Sequence, residues 1–159
     1  MNPGRYAGPV RPFRRFCILI VVYWMGMAGC ASPVQPAVIG GLETLRVREA
    51  DLAFRARIDT GAAASSIHAT DLRVDGAHVS FTLENEHGER RALRAEVADV
   101  AHVRSAHGTD ERPRVALHLS LAGVEKRVLV SLRDRSQMEH KLLVGRDFLE
   151  GDFAVDVSR

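Results

Sequence analysis

Phe54-Arg55-Ala56-Arg57-Ile58-Asp59-Thr60-Gly61-Ala62 is the stretch whose reading decides the fold. Phe54, Ala56 and Ile58 alternate with Arg55 and Arg57, the period-2 pattern of a strand that buries one face. Gly61 permits a sharp turn directly afterwards, which leaves Asp59 at the end of a rigid element, facing a cleft. The tripeptide alone is ordinary turn chemistry. A second stretch gives it meaning: Leu142-Leu143-Val144-Gly145-Arg146-Asp147-Phe148-Leu149 is an apolar strand that breaks at Gly145 and runs into a short helical segment.

The rest of the chain from Val38 onward reads as strands and turns. Strands are expected over 42–47, 54–58, 77–83, 91–100, 115–121, 126–132 and 142–144. In the fifth of these Val115, Leu117, Leu119 and Leu121 share one face and His118 lies on the other. Asp75-Gly76, His87-Gly88 and Ala122-Gly123 stand where hairpins close. With 159 residues, 46% of them hydrophobic and 26% charged, the chain can bury one core. One mostly antiparallel closed β-barrel is the economical architecture.

The pairing of the Asp-Thr-Gly-Ala loop with the apolar Gly-Arg-Asp run resembles the retropepsins, one-domain aspartic proteases that assemble their active site from two copies of the chain. Among these it is most similar to a bacterial family named as ATP-dependent zinc proteases, whose domain is retropepsin-like. The likeness runs from Arg57 through Ala69, through Val103, Arg104, Ser105, Gly108, Glu111 and Arg112, and through Arg135, Met138 and Leu142 to Leu149, and so spans residues 38 to 159. It implies an all-β retropepsin-like closed barrel, a single domain with one short helix near the C-terminus. It also implies that Asp59 is the catalytic carboxylate, that Thr60 supports the loop through its hydroxyl, and that Gly61 allows two loops to approach. It implies too that Gly145 and Arg146 pack behind that loop, with the guanidinium bracing either the loop or the dimer contact. Ser65 and His68 match the family's positions after the loop.

Two coupled carboxylates are needed for this chemistry, one ionised to accept a proton from water and one neutral to donate to the scissile carbonyl. The chain has one Asp-Thr-Gly. Asp75 in its Gly turn and Asp99 near a strand end lack that context and read as solvated turn residues. Peptide hydrolysis therefore requires a homodimer that pairs Asp59 from each copy. A mobile hairpin must also cover the substrate, and Ser105-Ala106-His107-Gly108-Thr109-Asp110 is the candidate.

The N-terminal 29 residues read as an address. Arg11, Arg14 and Arg15 precede about 13 mostly apolar residues, and Met27-Ala28-Gly29-Cys30 ends the run. The run is shorter than the roughly 18 to 20 residues that span a bilayer. It resembles a bacterial lipoprotein signal, which implies lipidation at Cys30, a tether over 30–37 and an envelope location on the periplasmic face of the outer membrane. Cys17 would be removed, so the domain keeps no thiol. Setting aside the four arginines before residue 16 leaves 18 basic against 20 acidic residues. That balance offers no stripe for nucleic acid.

No cofactor is expected. The seven histidines (His68, His78, His87, His102, His107, His118 and His140) are scattered without ligand spacing, and neither a His-Glu-x-x-His helix nor a phosphate-cradling Gly-rich loop is present. His102 and His107 would have to meet His68 in space to change this. Two readings follow: an envelope-tethered aspartic peptidase acting on peptide or protein substrates, or a non-catalytic envelope module that uses the Asp59 cleft to hold a peptide or cation.

Overall fold

The computed structural model describes residues 35–105 and 108–159, with side chains outside 102–110. The expected signal segment and Cys30 lie outside the described residues. Ten strands and one short helix follow in the order β1 (Ala37–Ile39), β2 (Leu42–Val47), β3 (Leu52–Ile58), β4 (Ser66–Asp75), β5 (His78–Glu84), β6 (Arg90–Ser105), β7 (Gly108–Leu121), β8 (Val124–Arg133), β9 (Leu142–Val144), α1 (Arg146–Leu149) and β10 (Phe153–Val155). This is the all-β architecture with a C-terminal helical turn that the sequence implied.

Eight strands form one sheet in the order β2-β3-β9-β4-β5-β6-β7-β8, and the extra pairings β2 with β7 and β4 with β8 curl it into a ring. The alternation in β3 is the reason for its place: Leu52, Phe54, Ala56 and Ile58 are buried, while Arg55 and Arg57 face solvent. The same logic fills the interior with Leu45 and Val47 from β2, Leu117 and Leu119 from β7, and Val128, Val130 and Leu132 from β8. β1 and β10 form a separate parallel pair, Ala37 opposite Phe153. Phe153 stacks on the buried Phe148 of α1, ring centroids 5.3 Å apart.

Turn chemistry closes the hairpins. Ala122 and Gly123 both have positive φ, 49° and 83°, as a two-residue turn matched to strand twist requires. Like the short β1 and β10, β4 is a strand that the hydrophobic pattern does not announce. Ile67, His68 and Ala69 are buried in succession, and the register against β5 shifts between Thr70 and Arg73, where Asp71 takes a φ of 56°. A bulge of this kind breaks the period of two.

β6 and β7 run longer than their apolar alternation, with 16 and 14 residues. β6 pairs with β5 only as far as Glu96 and β7 pairs with β8 only from Arg114. Between those limits the two strands pair with each other, out to Ser105 opposite Gly108. The candidate covering segment lies at the end of this two-stranded arm, and Ala106 and His107 are outside the described residues. Asp99 sits in the arm beside the bulge, paired through both carboxylate oxygens with Arg114. It is an ion-paired strand residue and not a solvated turn residue. Asp75, though exposed as expected, is the last residue of β4, beside the Gly76 turn and 3.8 Å from Arg94.

Candidate active site

β3 ends at Ile58 and hands the chain to the loop 59–65; β4 begins at Ser66. β9 lies between these two strands, parallel to β3 and antiparallel to β4. The Asp59 amide donates to Val144 O at 2.9 Å, which fixes the first residue of the loop to β9. Asp59 Oδ1 then accepts from the amides of Gly61 (3.0 Å) and Ala62 (3.1 Å). These bonds fix the carboxylate's rotation and leave Oδ2 without a hydrogen bond among the described residues. A Cβ at position 61 would stand 3.2 Å from Asp59 Oδ1, so glycine there gives the carboxylate its room.

The segment Gly145-Arg146-Asp147 braces the loop from behind. Arg146 Nη1 donates to the carbonyls of Thr60 (3.1 Å) and Gly61 (2.9 Å), and the Arg146 amide donates to Ala62 O at 2.9 Å. Asp147 accepts from the Ser65 amide at 2.9 Å and the Ser65 hydroxyl at 2.7 Å. That hydroxyl in turn accepts from the Gly145 amide at 3.1 Å. Gly145 leaves no space for a side chain: its Cβ would stand 2.7 Å from Ala64 C and 2.9 Å from Ala64 O. Asp59, Thr60, Gly61, Ser65, Gly145 and Arg146 are thus brought into one bracketed loop. Thr60 contributes its carbonyl. Its hydroxyl makes no bond among the described residues, so within one chain the expected hydroxyl support is not what holds the loop.

His68 lies elsewhere in the assembly. It is 2% exposed, its amide donates to Lys141 O at 2.7 Å, and its Nδ1 accepts from the Arg135 amide at 2.9 Å. An accepting Nδ1 belongs to a neutral ring. Burial depresses its pKa and nearby Lys141 adds to this, against the opposing charge of Asp134. His68 therefore anchors the segment 134–141 over the outward side of β4 and β8. The side chains of His102 and His107, which would have to converge on it to bind a metal, lie outside the described residues. Among the described residues no group of three or more His, Cys, Asp or Glu is placed to hold a metal ion, so they do not fit the zinc in the resembling family's name.

Sequence reading gave Arg133 and Arg135 no role at the site, Arg135 entering only as one of the residues of the resemblance, yet Arg135 is only 8% exposed. Its Nε donates to His140 O at 3.1 Å and its Nη1 to Ser66 Oγ at 3.4 Å. His140 also borders a pocket of about 400 Å³ with Gly41, Leu42, Arg57, Ile58, Glu139 and Val157.

A ring of strands with one Asp-Thr-Gly loop, threaded by a strand that ends in Gly-Arg-Asp, is a retropepsin-like domain. Residues 38–159 match the model of the RimB-like family, described as retropepsin-like aspartic endopeptidase RimB, and the chain belongs to that family. It is also similar to proteins of Shewanella pealeana and Shewanella halifaxensis named probable α-L-glutamate ligase, 32% identical over 114 residues in each case. Those matches cover 67% of this chain and 25% of the relatives, so the chain spans about a quarter of the length of the curated proteins it matches. A crystal structure of a Legionella pneumophila protein of unknown function shares the fold, with a TM-score of 0.68 over 79% of this chain and 96% of that one, at 24% identity.

Proposed function

We propose that this domain is an aspartic peptidase that hydrolyses peptide bonds as a homodimer, with one Asp59 from each copy. The observation that carries the reading is the state of the Asp59 carboxylate: Oδ1 is held by two loop amides while Oδ2 is open, at the end of a strand braced by Arg146 and Asp147. Two such carboxylates facing across a two-fold axis share one proton. The ionised one takes a proton from a water as that water attacks the scissile carbonyl carbon. The neutral one gives its proton to the carbonyl oxygen. In the collapse that follows, the carboxyl that took the water's proton passes it to the amide nitrogen, the C–N bond breaks to release the amine, and a diol hydroxyl returns its proton to the other carboxylate as the new carboxyl group forms. No step passes through a metal. The two-stranded arm of β6 and β7 supports coverage of a bound peptide.

The Shewanella relatives, which carry a region like this one over a quarter of their length, are named probable α-L-glutamate ligase as whole proteins, and that name supports glutamate-containing peptides as substrates. An envelope location with a lipid on Cys30 belongs to the same reading, and mass spectrometry of the native N-terminus tests it. The peptidase reading is tested by assaying the purified chain on a peptide library beside Asp59→Asn. Cleavage that is lost in the variant, with an unchanged circular dichroism spectrum, is the expected result. Equal turnover in both removes Asp59 from the chemistry, and tight peptide binding without turnover in either supports a binding module.

A further inference from the structure

Arg146 Nη1 donates to the carbonyls of Thr60 and Gly61, and the amides of Gly61 and Ala62 hold Asp59 Oδ1. These groups belong together in pairs. The Thr60 carbonyl and the Gly61 amide are one peptide unit, and the Gly61 carbonyl and the Ala62 amide are the next. A donor fixed on the carbonyl of a planar peptide also fixes the direction of its N–H, and a cation there strengthens that N–H as a donor. The aim of the Asp59 carboxylate therefore depends on where Arg146 stands.

Arg146 stands on a helix too short to place itself. α1 has four residues, Arg146–Leu149, and its N-terminal Gly145 offers no side-chain cap. One turn is far below the length at which a helix holds its own shape, so α1 takes its position from what its ends are bonded to. At the front, Asp147 holds the Ser65 amide and hydroxyl. At the back, the Phe148 carbonyl lies beyond the ladder of bonds inside the helix and needs a donor from elsewhere.

Lys126 supplies that donor. Its Nζ donates to Phe148 O at 2.8 Å and to Glu150 O at 2.9 Å, and it pairs with Asp152 Oδ2 at 2.5 Å. The three protons of an ammonium are thereby all used on the end of α1 and the turn after it. The same nitrogen lies 5.8 Å from the centroid of the Phe148 ring, within the range of a cation–π contact. Lys126 projects from nearer the start of β8 than Ser131, whose amide donates to Ser65 O at 3.0 Å. Among the described residues it bonds to the helix end and to nothing in the Asp59 loop.

We propose that Lys126 is a positioning residue: its ammonium, set on the C-terminal end of α1, fixes where Arg146 stands and, through two peptide units, the aim of Asp59. This deepens the peptidase reading and rests on it for the reaction that is measured. The placement of the loop amides does not depend on that reaction.

Three variants of the full chain test it. Lys126→Met keeps an apolar stem beside Phe148 and removes the donors, whereas Lys126→Arg keeps them. Val79→Ala empties part of the core under β5 and controls for lost stability alone. In amide NMR, the Gly61 and Ala62 resonances should move or broaden in Lys126→Met and keep their wild-type positions in the other two. Cleavage of a peptide library at a temperature where every variant is folded should show kcat lowered about ten- to a hundredfold in Lys126→Met, with KM within about twofold of wild type. Lys126→Arg and Val79→Ala should stay within about threefold in kcat. Unmoved Gly61 and Ala62 resonances in Lys126→Met overturn the proposal. An equal loss of kcat in Val79→Ala, or no recovery in Lys126→Arg, overturns it as well. If the methionine variant does not fold, Lys126→Gln takes its place in both measurements. A wild-type chain that cleaves no peptide removes the peptidase reading, and the amide resonances then decide the proposal alone.

Discussion

Asp147 grips Ser65 twice, with one carboxylate oxygen on the Ser65 amide at 2.9 Å and the other on the Ser65 hydroxyl at 2.7 Å, across 82 positions of sequence. The same hydroxyl accepts from the Gly145 amide, so one side chain joins the end of the Asp59 loop to the start of α1. Bonds to a charged group in a partly buried setting contribute more than neutral ones. Ser65 is fully buried, so removing its hydroxyl strands the buried Gly145 amide, while Asp147 Oδ1 keeps the Phe148 amide.

Ser65→Ala should therefore destabilise the domain by about 2 kcal/mol and Asp147→Ala by about 2 to 3 kcal/mol. Urea unfolding of the single and double variants checks it. The double variant should lose less than the sum of the two singles, because the interaction is shared. Additive losses, or single losses within about 0.5 kcal/mol of wild type, contradict the account.

Gly145→Ala places a methyl group against backbone that cannot move aside. It should cost about 3 kcal/mol or prevent folding, since the clash is with a main-chain carbonyl and not with the far end of a flexible side chain. Gly41→Ala is the control, with no atom within 4 Å of the added carbon, and should stay within about 1 kcal/mol of wild type. Thermal melts of both proteins decide it, and a tolerant Gly145→Ala would disprove the tight threading of β9 behind the loop.

Stability should fall with acid through His68. Burial holds its folded pKa below the ordinary 6.5, so just below that pH the unfolded chain binds a proton that the folded chain refuses. The stabilisation is complete above 6.5 and declines as pH falls toward the lower folded value. Urea midpoints measured over this range should drop in the wild type and stay flatter in His68→Gln. Parallel pH profiles would assign the acid sensitivity to other groups.

Much of the barrel is legible in the sequence because strands with one buried face must alternate. β3, β5, β7 and β8 announce themselves in this way, and so do the Gly turns between them. β4 is hidden because the bulge after Thr70 breaks the alternation and because the segment 134–141 covers its outward residue His68. The arm is hidden for a different reason: strands paired only with each other bury little and need no apolar stripe. At the site, Asp59 and the Gly-Arg-Asp segment carry distinctive spacing, whereas Arg133 and Arg135 sit in a charged run that carries none. Only the hydrogen bonds to Ser66 and His140 reveal that Arg135 is folded inward.

The central claim is that two copies of Asp59 act together, and subunit mixing tests it most directly. Wild-type chain is held at fixed concentration while Asp59→Asn chain is added in increasing excess, with time for exchange, and peptide cleavage is followed. Because a mixed dimer has one carboxylate where two are needed, cleavage per wild-type subunit should fall toward zero as mixed dimers replace wild-type ones. Cleavage that stays constant per wild-type subunit at large excess of the variant would show that one Asp59 suffices and would contradict the paired-carboxylate mechanism.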